Sequence, residues 1–424
     1  MSQQRNLERQ HILSLEKNPD KNRSLKKYFI GIILVCSAVS VINASLSSQI
    51  IREAGTSFGD YNQYSGIVHV HTTYSDGGGT FEEVGQTADE IGMHFLITCD
   101  HNTIQPYLDP VPKYVGRTLI VPGVEISTDN NMGHFLVIGN DIPIVPASGI
   151  SSDEVFNDAV EKGMMTFPAH PFHSREKLDW ENWDIGEFTG MELFNLDECW
   201  RESLTVLRIN RLLSATALCW FSGYTVNHIS TFPEADMKKF DELCKERRIV
   251  GIGSTDAHSK IKLGYRCSFR FPDYKSMFNF VQTVIVTREP FNGDYEHDRG
   301  ILFNALRNGN VYVGFGGLEN PRGFGFTAKS DTDETAIMGE ELNFNKSAKL
   351  NITIPDSEDV TVQIIKDGEI FTEFSSEKYF EISIKDAGVY RVQVFQHRKM
   401  LPFLKKRSYT WILSNPIYVN SNQK

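Results

Sequence analysis

Nine side chains of metal-ligand type recur at one kind of place in this sequence. His69 and His71 stand two apart in HVHTTYSDG, and Asp76 follows five residues later. His101 ends FLITCDH, Glu125 follows LIVPGV, His134 opens HFLVIG, and His170 follows MMTFPA. Asp256 and His258 follow IVGIGST, again two apart. Alternation along a strand puts residues i and i+2 on one face, so both imidazoles of such a pair can reach one ion. A lone histidine after a strand is ordinarily a satisfied core or surface residue, and an isolated Asp76 or Glu125 can serve a turn or a helix cap. What points to metal is that all nine share one predicted location. Packed together without cations, they would be costly to bury, whereas divalent ions neutralise the carboxylates and use the imidazole lone pairs. Mixed nitrogen and oxygen donors suit Mn²⁺, Fe²⁺ or Zn²⁺ better than Mg²⁺ or Cu⁺. No Ser–His–Asp or Cys–His order accompanies the group, and there is no Gly-rich phosphate loop of the P-loop kind.

The elements that must position these groups are legible from about 65 to 310. Residues 66–70 read as a strand. Thr80 and Glu83 form a capping box for a helix over 80–93, with Val84, Ala88 and Ile91 on one face and Gly92 at its end. Further strands are expected at 94–98, 119–121, 135–138, 164–167 and 249–252, with helices at 151–161, capped by Ser151 and Glu154, and at 236–245. Strands alternating with helices imply parallel pairing in a barrel or a doubly wound sheet. In a parallel barrel the C-terminal strand ends converge on one face, which would gather the nine groups at one mouth. The stretch 196–235 is less regular, with a helix expected near 204–218, and reads as an insertion or cover.

From about 311 the texture changes. Val360, Val362 and Ile364 alternate, Lys366-Asp367-Gly368-Glu369 reads as a hairpin turn, and Phe380, Ile382 and Ile384 alternate again. Residues 311–424 are therefore expected to form a small β-sandwich-like domain.

At 424 residues the chain has room for two to three domains. Its net charge of −11 argues against coating bulk duplex nucleic acid, and six cysteines are too sparse for a disulfide scaffold. The charge is uneven. The leader 1–27 carries about +4, and the uncharged run 28–46 that follows would span about 28 Å as a helix. We read 1–27 as a cytoplasmic leader, 28–46 as a single-pass transmembrane anchor and 47–64 as a stalk, placing the remainder outside the cytoplasm. Secretion after signal cleavage is the alternative.

The remaining histidines have no ligand partner at useful spacing: His11, His94, His228, His297 and His397. His173 is expected beside the site or against substrate, and Cys99 as small core filler. Arg175 and Lys260, each a few residues after a ligand, are candidates to clamp phosphate, against solvated loop charges as the bland alternative.

The motifs HVHTTYSDGGGT, CDHN, PGVEIS, GHFLVIG, PAHPF and GSTDAHS stand in the order found in the polymerase and histidinol phosphatase (PHP) superfamily, and the chain resembles its stand-alone metal-dependent phosphoesterases over about 65–310. ALRNGNVYVG and SNPIYV extend the resemblance to a strand-rich C-terminal extension. The resemblance implies a distorted (β/α)7 TIM-like barrel with two or three divalent ions. It assigns His69, His71, Glu125 and Asp256 to one ion. Asp76, His101 and His258 fall to a second, and Glu125, His134 and His170 to a third, with Glu125 bridging. The implied activity is phosphoester hydrolysis by a metal-bound hydroxide, with Asp256 and His258 relaying a proton to the leaving group. A phosphorylated small molecule, a nucleotide or a short oligonucleotide would be the substrate. The alternative is a metal-containing module that only binds, docking a partner or glycan through the β-domain. Oligomeric state is not legible.

Overall fold

The structure, a computed structural model, describes Gly31 and residues 56–422, apart from 129–132, 147–149, 174–177, 204–231, 264–266, 318, 356, 358, 376 and 399–404. The expected anchor over 28–46, the helix near 204–218 and Arg175 fall outside the described residues, Gly31 excepted. Among the described residues no helix is long and apolar enough to cross a membrane.

Seven strands carry the site: β1 (Tyr61–Val70), β2 (Phe95–His101), β3 (Thr118–Ser127), β4 (His134–Ile138), β5 (Met165–Ala169), β6 (Gly190–Asn195) and β7 (Val250–Ser254). β1, β2 and β3 pair in parallel, as do β6 and β7. β4 runs antiparallel to both β3 and β5, which corrects the expected all-parallel pairing. The chain turns back between Ser127 and His134, too short a stretch for a crossover helix. β5 continues to β6 through Thr189 N donating to Thr166 O, and the end of β7 meets β1 at a parallel bridge between Val70 and Ala257.

The helices follow from local signals. α1 (Phe81–Glu90) and α2 (Ser152–Glu161) each start at the expected capping box, Thr80 with Glu83 and Ser151 with Glu154. Phe81, Val84 and Ala88 recur at helical spacing and are buried. α3 (Leu196–Ser203) and α4 (Glu234–Glu246) follow β6. Alternate strand residues divide between two cores. Ile67, Leu96, Ile120 and Val137 pack with Val84, Phe156 and Phe240 of the helices. Val68, Ile97, Val121, Leu136, Phe167 and Ile252 pack together with Leu302 and Leu306 of α5 (Tyr295–Asn308).

The stalk expected over 47–64 does not extend past residue 55. Thr56–Phe58 forms a short strand on β1 through a turn at Gly59, whose φ is 54°. Gln63 and Ser65, polar in the sequence, are both buried inside β1. Gln63 donates to Phe324 O at 2.6 Å and accepts from Gly323 N at 2.7 Å.

β8 (Val281–Thr287) pairs with the other edge of β1 and with β9 (Val311–Phe315), and β9 pairs in turn with Arg407–Ser414. One sheet therefore runs from the site strands into the C-terminal region. A second sheet of four strands, Thr335–Ile337, Gly325–Ser330, Ala348–Thr353 and Tyr379–Ile384, covers this extension. Phe326, Leu350 and Ile352 of that sheet share a core with Val362, Val392, Val394 and Trp411. The hairpin turn lies where expected, with Asp367 and Gly368 both at positive φ, as a two-residue loop requires. Asn415 closes the junction by accepting from Gly251 N at 2.7 Å and donating to Gly251 O at 2.8 Å.

Candidate metal centre

The two histidines of HVH meet at one point for a reason alternation does not supply. Val68 packs in the core shared with α5, while Ile67 and Val70 both face the helices. The phase slips by one residue at His69, where the pairing with β2 shifts register and φ is 64°. Without this bulge His69 and His71 would face the helices. With it, both rings turn to the C-terminal strand ends and are fully buried.

There the structure brings all nine predicted ligands together. His69 Nε2 lies 3.2 Å from Glu125 Oε2 and 3.5 Å from Asp256 Oδ1. His71 Nε2 lies 3.2 Å from the same Glu125 oxygen and 3.0 Å from the same Asp256 oxygen. These four atoms are buried, and none has a hydrogen-bond partner. Donors held about 2.0–2.2 Å from one ion lie roughly 3.0–3.5 Å apart, so this spacing fits a shared cation. His71, Asp76, His101 and His258 form a second group, and His101, Glu125 and His134 a third. Glu125 faces both ways: Oε2 stands 3.0 Å from His101 Nδ1, while Oε1 stands 2.7 Å from His134 Nδ1 and 3.2 Å from His170 Nε2. His134 belongs here because β4 is antiparallel, so the start of that strand lies beside the ends of its neighbours.

The charges are mutually dependent. Burial opposes protonation of His170 and His258, yet Glu125 beside the first and Asp76 beside the second push them up to about 9 and about 10. Burial likewise opposes ionisation of Glu125 and Asp256, but the surrounding histidines hold both well below the usual carboxylate range. In the metal-free chain His170 and His258 therefore hold protons where cations would otherwise sit.

Two residues the sequence reading missed organise the site. Asp100, fully buried, accepts from Thr72 N at 2.8 Å, Thr72 Oγ1 at 2.7 Å and Ser75 Oγ at 2.6 Å, which fixes the loop leading to Asp76. Glu192, fully buried on β6, contacts His69 Nδ1 at 2.6 Å. The signal available was a lone charge in the apolar run GMELFN, which demands a buried partner.

The other candidates are placed as follows. Lys260 Nζ donates to Gly77 O at 3.1 Å, beside Asp76. His173 lines the same cleft, with its ring 5.3 Å from that of His170. Cys99 is core, and burial pushes its thiol up. His94 accepts from Ser65 N at the far ends of the strands, and burial holds it down to about 4. His297 contacts Asp298 and His397 contacts Thr361, both away from the site. Above the cluster lies a cleft of about 170 Å³ walled by Asp76, His101, His134, Asp197 and His258, among others. It has room for about six waters, or a phosphoryl group with a few.

The donor set could hold metal ions and fits a metal-dependent hydrolase. No family model and no curated protein sequence matches the chain. Among solved structures it is similar to a two-domain protein from Bacteroides vulgatus containing a predicted PHP-like metal-dependent phosphoesterase. That match has 14% identity and a TM-score of 0.43, and covers 85% of this chain and 98% of the other. It is also similar to a candidate metal-dependent phosphoesterase from Bifidobacterium adolescentis, at 14% identity and a TM-score of 0.30, covering 49% and 93%. An amidohydrolase from Chromobacterium violaceum with bound sulfate and no metal matches at 14% identity and a TM-score of 0.28, covering 46% and 87%.

Proposed function

We propose that the chain hydrolyses a phosphoester at a centre of two or three divalent ions (Mn, Fe or Zn), within a distorted seven-stranded barrel formed by β1–β7. One observation carries this: four buried donor atoms from three elements converge at ion-sharing distances with no hydrogen-bond partner among the described residues. When bound, the ions polarise the phosphoryl group and activate water. The residues supply the rest. His69, His71, Glu125 and Asp256 hold one position, and Asp76, His101 and His258, with His71, hold a second. Glu125, His134 and His170 hold a third. Asp256 reaches the cluster through Oδ1, and its Oδ2 accepts from Asn195 at 3.3 Å. His258 lies on the cleft wall and is fixed by Nδ1 donating to Asp256 O at 2.9 Å. These two are proposed to pass a proton to the leaving oxygen.

The cleft accepts a phosphoryl group, so the substrate is a phosphorylated small molecule, a nucleotide or a short oligonucleotide whose remainder projects outward. Arg175 and Lys260 are proposed to steady its phosphate. From the basic leader and the uncharged run 28–46, the catalytic region is proposed to lie outside the cytoplasm on a single-pass anchor. The test is hydrolysis of an aryl phosphate and a nucleotide panel by metal-loaded protein. Activity should be lost on chelation and in His69→Ala. Folded, metal-loaded protein inert on both mono- and diesters would refute hydrolysis and leave a metal-containing binding module.

A further inference from the structure

We propose that Glu192 is the positioning residue of the metal centre, with Asn195 as its brace. Three of the nine ligand residues, His69, His170 and Asp256, hold left-handed backbone angles, with φ of 64°, 33° and 47°. Such angles are unfavourable for residues with a side chain and persist only where the surroundings impose them. The three come from different strand ends, and one buried pair on β6 reaches all of them. Glu192 Oε1 takes His69 Nδ1 at 2.6 Å, and its Oε2 accepts from the backbone N–H of His170 at 2.8 Å. Asn195 Nδ2 donates to Glu192 Oε2 at 2.9 Å and to Asp256 Oδ2 at 3.3 Å. The pairing of β6 with β7 shifts register between Glu192 and Phe194, so a bulge accompanies the turning of this carboxylate toward the cluster.

The chemistry fits the geometry. A carboxylate only accepts, so its contact places a proton on His69 Nδ1 and leaves the Nε2 lone pair facing Glu125 and Asp256. Outer partners of this kind fix the orientation of a ligating imidazole and raise its basicity. Both oxygens of Glu192 are engaged behind the ligands, so it stands outside the donor group itself.

This rests on the metal-centre reading, and the experiment separates the two. Full-length protein, stripped by chelator, is titrated with Zn²⁺ and Co²⁺ by calorimetry and visible absorption. If the wild type takes up no ion, the metal-centre reading fails. If it does, Glu192→Gln should bind about 10- to 100-fold more weakly and show a displaced Co²⁺ ligand-field spectrum. A Gln has one accepting oxygen for the three donors, His69 Nδ1, His170 N–H and Asn195 Nδ2. Glu192→Asp should recover part of the affinity. Circular dichroism in chelator reports whether each variant folds. Should Glu192→Gln not fold, Asn195→Ala, which leaves the carboxylate in place, should still weaken binding several-fold and shift the Co²⁺ bands. Wild-type affinity and spectrum in a folded Glu192→Gln, or in Asn195→Ala if that is the folded variant, would overturn the proposal.

Discussion

Replacing Glu125 with Gln isolates the group on which most of the cluster depends. Its carboxylate is 1% exposed and lies within 3.2 Å of a ring nitrogen of His69, His71, His101, His134 and His170. In the metal-free chain it is counter-charge to His69, His101 and His170, whose pKa values it helps to raise. Removing one partner of a buried ionic group costs about 3–5 kcal/mol. Unfolding entropy scales to about 0.9 kcal/mol per kelvin for a chain of this length, so the melting temperature in chelator should fall by about 3–6 °C. Metal adds a second, larger contrast. An ion present at 100 times its dissociation constant stabilises the native state by about 2.7 kcal/mol per site, or about 3 °C. Wild type should gain that increment for each site filled. Glu125→Gln should lose it at the two groups that contain Glu125 and keep it at the His71, Asp76, His101 and His258 group. Thermal melts with and without metal, and ion counts per chain, check both halves. An unchanged ion count and an undiminished metal-induced rise in Glu125→Gln would refute the assignment of Glu125 as a shared ligand.

Metal uptake should release protons, because His170 and His258 sit at about 9 and about 10 in the metal-free chain and must give up protons to bind. Calorimetry in buffers of different ionisation enthalpy should show release at pH 7, and affinity should rise with pH. The same raised values stabilise the metal-free fold fully below about 6.5 and lose that contribution as pH rises through 9 to 10. Melting temperature in chelator should therefore drop over that window, and metal should blunt the drop. At the junction, Arg391 pairs with Asp241 through Nε at 2.6 Å and a second nitrogen at 2.7 Å, with the guanidinium buried. Arg391→Ala should cost about 3–5 kcal/mol by denaturant unfolding, whereas Arg391→Met with Asp241→Leu should cost far less. A reporter fused after residue 424 should read the non-cytoplasmic side; a cytoplasmic signal would refute the anchor.

What the sequence made legible was local or periodic. Thr80 with Glu83 and Ser151 with Glu154 satisfy orphan amides within one turn, so the starts of α1 and α2 could be read without knowing the fold. The Asp367-Gly368 turn is legible for the same reason. The convergence of the nine candidate ligands was legible because strand ends converge in an α/β sheet of this kind. The direction of β4 was not, since an apolar run carries no sign of its direction, and only the short connection from Ser127 to His134 hinted at it. The burial of Gln63 and Ser65 was not legible either. Their partners, Gly323 and Phe324 for Gln63 and His94 for Ser65, lie well away in sequence.

The phase slip at His69 shows why the expected clustering came out of an incomplete reason. Alternation keeps residues 69 and 71 on one face but does not say which. The strand's own apolar pattern, with Ile67 against the helices, assigns that face to the helices. A buried imidazole pair there would have no counter-charge, so the backbone accepts a left-handed residue and turns both rings inward. Something inside must make that worthwhile, and it is the buried acid: Glu125 and Asp256 in front of the rings, Glu192 behind. Burying a carboxylate costs several kcal/mol unless it is partnered, so Glu192 in the apolar run GMELFN already required a cation or a donor beside it. A charge in the middle of an apolar strand therefore constrains the fold more tightly than a histidine at the end of one. The histidine can rest in solvent; the buried carboxylate cannot. Part of the chain's net charge of −11 lies in this cluster and not on the surface, where metal would offset it.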